Sequence, residues 1–504
     1  MTSDSQGDAR ASGRGQRRRA VVRAALAGLG GLAAGRLVPG LVPNARSATA
    51  IVTPDPIPAR IAPGELAVEI VEFATLPPSS TGFPKVHLNQ LGHAGDGSGR
   101  LFAVDSRGKL YWVDRATGAA KVALDLKKVR GSAFVAPTSQ QSMGFRSFAF
   151  HPDRGRAGRP GRHKIYTVST ETIASRPAGV PLLSGPYPVL FHDVIAEWST
   201  YVSAPSLVDP KSRREVLRIA QYQRGHNTGP LAFDPNAAVG SAAYGKMFVA
   251  IGDGGLNTAH PDFYDSAQAP GRALGKILRI DPLRQANGAS YGVPATNPFV
   301  GRSGYLPEIY ASGLRHPQHL SFDWGISRGG TGVLLTIDIG QAYVEELNLV
   351  TAGANFGWPV REGTFVTDRY DQSTLYALPA DDARNGFIYP VAQYDHNERN
   401  ELNLVAITGG FVCRGSAVPA LRGYYLMGDI VTGRIYYVAV SSLRQGAQAV
   451  LRELNLRRNG RPVTLTGLLG NPRADLRLGQ DEAGEIYVLT KRDGKIRKLA
   501  PARA

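Results

Sequence analysis

A short alternating strand, a Pro/Asp/Gly turn and a second strand rich in aliphatic and aromatic residues recur along the chain. This repetition constrains the fold more than composition does. The unit is clearest at Phe148–Asp153 with Lys164–Val168, Leu231–Pro235 with Lys246–Ile251, Leu320–Asp323 with Val333–Ile337, and Leu476–Asp481 with Glu485–Leu489. Weaker copies stand at Arg100–Asp105 with Lys109–Asp114 and at Gly410–Arg414 with Tyr424–Met427. Six copies give about 70 residues per unit, enough for a four-stranded sheet with long loops. Amphipathic helices are scarce. A single core does not keep growing over 504 residues, whereas small sheets packed in a ring need only touch their neighbours. The expected fold is therefore all-β, a six-bladed β-propeller over residues 83–500, with a pair of two-sheet sandwiches as the competing architecture.

The first fifty residues read differently. Arg17-Arg18-Arg19 precedes an apolar, small-residue run from Ala24 to Gly35, and Ala48-Thr49-Ala50 supplies a small-x-small cleavage site. That order fits a twin-arginine export signal over residues 1–50, so the expected location is outside the cytoplasm. Residues 51–82 are proline-rich and read as a linker with one strand at Leu66–Phe73. The net charge of +17 falls to roughly +11 beyond the signal, spread along the chain, and no nucleic-acid module accompanies it. No further stretch is long enough to span a bilayer, so no integral membrane protein is expected. Cys413 is the only cysteine, which excludes an intramolecular disulfide, a cysteine zinc cluster and a Cys-x-x-Cys pair.

Two glycine-rich turns flank the third unit: Arg224-Gly225-His226-Asn227-Thr228-Gly229 and Gly252-Asp253-Gly254-Gly255. Two adjacent antiparallel strands would bring His226 and Asp253 to the same end of a sheet, where a carboxylate fixes the imidazole tautomer and raises its basicity. A structural histidine in a turn is the alternative. Arg315, ahead of a proline-fixed turn, can hold a carboxylate or quinone oxygen in a fork. The Gly340–Glu346 loop offers carbonyls and carboxylates, the hard oxygen donors that suit Ca²⁺. No H-E-x-x-H, P-loop or G-x-S-x-G segment is present.

These segments carry a resemblance. Gly144–Asp153, the His226–Gly229 turn, Ile251–Gly255, Leu274–Asp281, Gly313–Pro317, Asp338–Val350, Asn355–Pro359 and Gly409–Pro419 are similar, in order and spacing, to the soluble pyrroloquinoline quinone-dependent sugar dehydrogenases of the glucose/sorbosone dehydrogenase family. The resemblance implies a six-bladed propeller that oxidises an aldose at its anomeric carbon to the lactone and passes electrons to an external acceptor. It assigns His226 as general base and Asp253 as its orienter, and it places Arg315, Asn227, His316 and Arg473 on the cofactor. The carbonyls of Gly340 and Gln341 would hold the Ca²⁺.

The chain departs from the family at three places. His316 replaces an asparagine, Ser142 stands where a Gln or Glu is usual, and the 428–433 segment lacks the cofactor-binding lysine, leaving Arg434, Arg473 or Arg477 as substitutes. A binding propeller of the same family without cofactor chemistry is the main alternative; a metal-dependent lactonase is the weaker one.

Overall fold

Strand pairing follows the repeated pattern closely. In each of the six units the two expected strands exist and pair antiparallel, for example Thr228–Phe233 with Met247–Ile251 and Leu476–Gln480 with Ile486–Thr490. The computed structural model describes residues 50–138, 142–184, 188–255, 265–328, 331–368, 371–396 and 405–503. They belong to one compact unit that begins at Ala45. The expected export signal lies outside the described residues, apart from Ala50.

The architecture is all-β. Four-stranded meanders start at Leu88, Phe145, Thr228 and His319, the second carrying an extra two-residue strand at Leu182–Leu183. A nine-stranded sheet holds two further meanders, led by Ile407–Val412 and Leu476–Gln480. A small three-stranded sheet spans Arg361–Tyr376. The leading strands contact one another in a closed ring: Leu88–His93, Phe145–Phe150, Thr228–Phe233, His319–Arg328, Ile407–Val412, Leu476–Gln480, and back to Leu88–His93.

Six hydrophobic clusters fill the spaces between successive meanders. One joins Tyr166, Ile195 and Ile219 to Val249 and Leu278; another joins Leu335, Ile337 and Leu347 to Tyr425 and Tyr436. Strands covered on both faces must be apolar on both, which is why Met247–Ile251 is buried throughout and reads as a continuous run.

Within the segment 51–82, expected to be a linker with one strand at Leu66–Phe73, that strand is present and longer than expected. Pro63–Thr75 is a 13-residue strand that pairs parallel with Arg452–Arg458 and antiparallel with Lys495–Pro501. Its pattern hides Val68 and Ile70 in the core shared with Leu454, Leu456 and Leu499, so it is a sheet member and no tether. No helix among the described residues is long and apolar enough to cross a membrane.

Candidate functional site

Each leading strand begins at the same end of the ring, so residues just before it converge there. This is how Ser142, His226, Arg315, His316, Val405 and Asp475, distant in sequence, come to line one cavity of about 390 Å³.

His226 takes a left-handed backbone conformation (φ 53°) at the tip of its turn. Its Nδ1 lies 2.7 Å from Oδ1 of Asp253. With a carboxylate as partner, Nδ1 carries the proton and Nε2 is left as the basic nitrogen. Asp253 is in turn fixed by three contacts. Trp358 Nε1 donates to its Oδ2 at 2.8 Å, Gly255 N donates to its Oδ1 at 2.8 Å, and its own backbone N–H donates to Arg315 O. Close approach explains Gly252: a Cβ there would stand 2.3 Å from the His226 carbonyl oxygen. Burial, with Arg315 nearby, lowers the His226 pKa below its usual value, and Asp253 only partly opposes this. Burial raises the Asp253 pKa, but His226 and Arg315 outweigh it and hold the carboxyl below the usual range.

His316 stacks on His226 with ring centroids 4.9 Å apart and planes 17° from parallel. Burial and the neighbouring His226 keep it neutral. The backbone N–H groups of Arg315 and His316 donate to the two oxygens of Asp338. The Arg315 guanidinium donates to Gln341 Oε1 and Ile339 O. Gly340 and Gln341 both line the cavity. Their loop is pinned from behind by Glu362, whose Oε1 accepts the N–H groups of Ala342, Tyr343 and Val344. Among the described residues no cluster of three or more His, Cys, Asp or Glu side chains could hold a metal ion.

Arg473 lines the cavity and pairs with Asp475, the only carboxylate in its described lining. Arg434 lies elsewhere, paired with Glu453. Asn227 is buried, and its Nδ2 donates to Ser142 O at 2.9 Å, which fastens the Ser142 segment; among the described residues its Oδ1 has no hydrogen-bond partner.

Four cavity or second-layer residues escape sequence reasoning: Arg146, Lys491, His396 and Trp358. Arg146, Arg477 and Lys491 are each more than nine-tenths buried. Among the described residues neither arginine has an ion-pair partner, and the Nε of each lacks a hydrogen bond. Burial and the adjacent Arg477 push the Lys491 ammonium far down; burial lowers Arg477 to about 9 and Arg146 to about 10. No local signal in the sequence marks Arg146 or Lys491 as a pocket residue. With Arg315 and Arg473 these side chains make a pocket of four arginines and a buried lysine against one carboxylate, which favours an anion.

A family model for glucose/sorbosone dehydrogenase matches residues 212–498, more than half of the chain. The chain belongs to the glucose/sorbosone dehydrogenase family. Among its curated relatives are the HIPL1 protein of Arabidopsis thaliana, 27% identical over 466 residues (85% of this chain, 64% of that one), and the Hedgehog-interacting protein of Mus musculus, 24% identical (79% and 48%). The aldose sugar dehydrogenase YliI of Escherichia coli is 28% identical over 136 residues, 27% of this chain and 29% of that one. The chain thus spans between about half and two-thirds of the length of the first two. In fold, this family member is similar to the PQQ-bound aldose sugar dehydrogenase of Streptomyces coelicolor (TM-score 0.54, 17% identity, 87% of this chain and 99% of that one). It is also similar to the apo aldose sugar dehydrogenase of Escherichia coli (0.55, 16%, 86% and 100%).

Proposed function

We propose that the chain oxidises an aldose sugar at its anomeric carbon to the lactone, with pyrroloquinoline quinone and Ca²⁺ held in the cavity that His226 lines. One observation carries this reading: a histidine oriented through Nδ1 by a buried, doubly anchored aspartate opens onto a pocket lined by four arginines and a buried lysine. The quinone is a tricarboxylate, so the pocket chemistry fits it. Arg146, Arg473, Arg477 and Lys491 would take its carboxylates and Arg315 a further oxygen, and the carbonyls of Gly340 and Gln341 would take the Ca²⁺.

When bound, the quinone is the hydride acceptor and Ca²⁺ the Lewis acid that polarises it. The protein supplies the proton chemistry. His226 Nε2 takes the proton of the anomeric hydroxyl as hydride leaves the anomeric carbon. Asp253 holds the Nδ1–H and offsets the charge that develops on the ring, while Trp358 keeps Asp253 in place. The lowered pKa keeps His226 neutral, hence basic, at neutral pH, and general-base help of this kind is worth about 10²- to 10⁴-fold.

The repeated sheets are read as the six blades of a propeller, supported by the closed ring of leading strands. We read residues 1–50 as a twin-arginine export signal. A binding protein of the same family without quinone chemistry is the second reading, favoured by the similarity to HIPL1 and the Hedgehog-interacting protein.

Titration of the purified protein with quinone and Ca²⁺, alongside aldose oxidation with an artificial acceptor, separates the two. Wild type should bind quinone at micromolar concentration and turn over, and His226→Ala should bind without turnover. No micromolar binding by wild type leaves the binding-protein reading; unchanged turnover by His226→Ala removes the base assignment.

A further inference from the structure

The leading strands that start at the site run on to the opposite end of the ring, and between them lies a second, larger cavity of about 510 Å³. It shares Arg146, Gln318 and Arg477 with the first cavity, so these three form a septum between the two. Beyond the septum the wall carries four phenylalanines, Phe148, Phe233, Phe322 and Phe411, from four different leading strands, with Arg156 and Glu482 also on the lining. Trp324, 40% exposed, also lines it, at the far end of the His319–Arg328 strand's described side chains. The interior end is cationic. Arg146 and Arg477 are buried guanidiniums without an ion-pair partner among the described residues, and each has an Nε lacking a hydrogen bond. Near Arg477 the His319 Nε2 also lacks a partner, although the His319 ring packs edge-on against Phe411 at 4.8 Å.

Water alone is a poor filling for such a space. It wets the phenylalanine side chains at a cost and leaves two buried guanidiniums, near Asp193 and Asp475 but paired with neither, without a direct counter-ion, whereas a molecule with a flat apolar body and one anionic group meets both needs. We propose that this second cavity is a ligand site for a small aromatic carboxylate, its ring among the phenylalanines and its carboxylate toward Arg146 and Arg477. The site is separate from the one that His226 lines and does not depend on quinone chemistry. Because the two arginines face both cavities, anions in the two compete for the same charge, and each weakens the other's binding by the same factor.

The test uses the protein without quinone and 2-naphthoate as the probe, read by calorimetry and by quenching of Trp324 fluorescence, with 2-naphthamide as the uncharged isostere. Expected is a single saturable site that prefers the carboxylate by about tenfold or more. Ala149→Trp, on a half-buried position of the cavity wall, should abolish this binding while quinone affinity is retained. If that variant does not fold, Ala232→Phe on the next leading strand serves the same purpose. Equal binding of acid and amide, no binding up to the solubility limit, or full displacement by quinone with no effect of the filling variant would each overturn the proposal. The last result would mean that naphthoate sits in the His226 cavity. Partial, saturating weakening by quinone supports two sites that share a septum.

Discussion

Trp358 donates its indole N–H to Asp253 across 105 residues of sequence, occupying the carboxylate oxygen that His226 does not use. The aspartate therefore has no freedom to rotate away from the imidazole, and the tautomer of His226 is fixed through Asp253 by a tryptophan distant in sequence.

Asp253→Asn keeps the shape but leaves one acceptor oxygen for the indole, the Gly255 N–H and the imidazole. Turnover should fall by about 10²- to 10⁴-fold. Burial and Arg315 already lower the His226 pKa, and Asp253 raises it, so loss of the carboxylate lowers it further. The rate falls on acidification as the base is protonated, and in the variant that acid limb should move to lower pH. A pH–rate profile over roughly pH 4 to 8 checks the sign; a limb that moves upward contradicts the assignment.

Lys491→Met should act in opposite directions on stability and affinity. The lysine is buried beside Arg477, Arg146 and Arg473, so an apolar replacement should stabilise the quinone-free protein by about 1–3 kcal/mol. Loss of a charge-assisted contact should weaken quinone binding by about 1.5–3 kcal/mol. Chemical denaturation and quinone titration measure the two separately, and unchanged affinity removes Lys491 from the cofactor set.

Gly252→Ala places a methyl group 2.3 Å from the His226 carbonyl oxygen, a backbone atom that must move. A destabilisation of about 1–3 kcal/mol is expected, together with loss of turnover because the displaced turn carries His226. Quinone affinity should change little, since the cationic side chains are on other meanders; a parallel loss of affinity would show that the damage is general.

Glu362→Gln removes the charge that accepts the N–H groups of Ala342, Tyr343 and Val344. The loop bearing Gly340 and Gln341 should loosen, at a cost of about 1.5–3 kcal/mol in stability. The Ca²⁺ concentration needed for half-maximal activity should rise. An unchanged Ca²⁺ dependence with lowered stability would confine Glu362 to a structural role.

The strand pairs were legible because neighbouring strands announce themselves by alternation within about twenty residues, as at Leu231–Ile251. His226 and Asp253 were legible for the same reason, since adjacent antiparallel strands bring the end of one to the start of the next. Arg146 and Lys491 were not. They belong to meanders whose ends meet only when the ring closes, and nothing in the local pattern at Thr490-Lys491-Arg492 distinguishes a pocket lysine from a solvated one. Trp358 lay within a segment quoted for its resemblance, but its indole partner is 105 residues away.

The strand Pro63–Thr75 sets Pro63 opposite Glu453 and Val68 opposite Pro501. Contacts at such sequence distance form only after the intervening chain is arranged, so the seam is the step that raises contact order and slows folding. Once made, the seam ties the amino-terminal part of the sheet to two separate carboxy-terminal strands. Opening the ring there means losing a parallel and an antiparallel ladder together, so this one strand governs how long the protein lasts as well as how it is built.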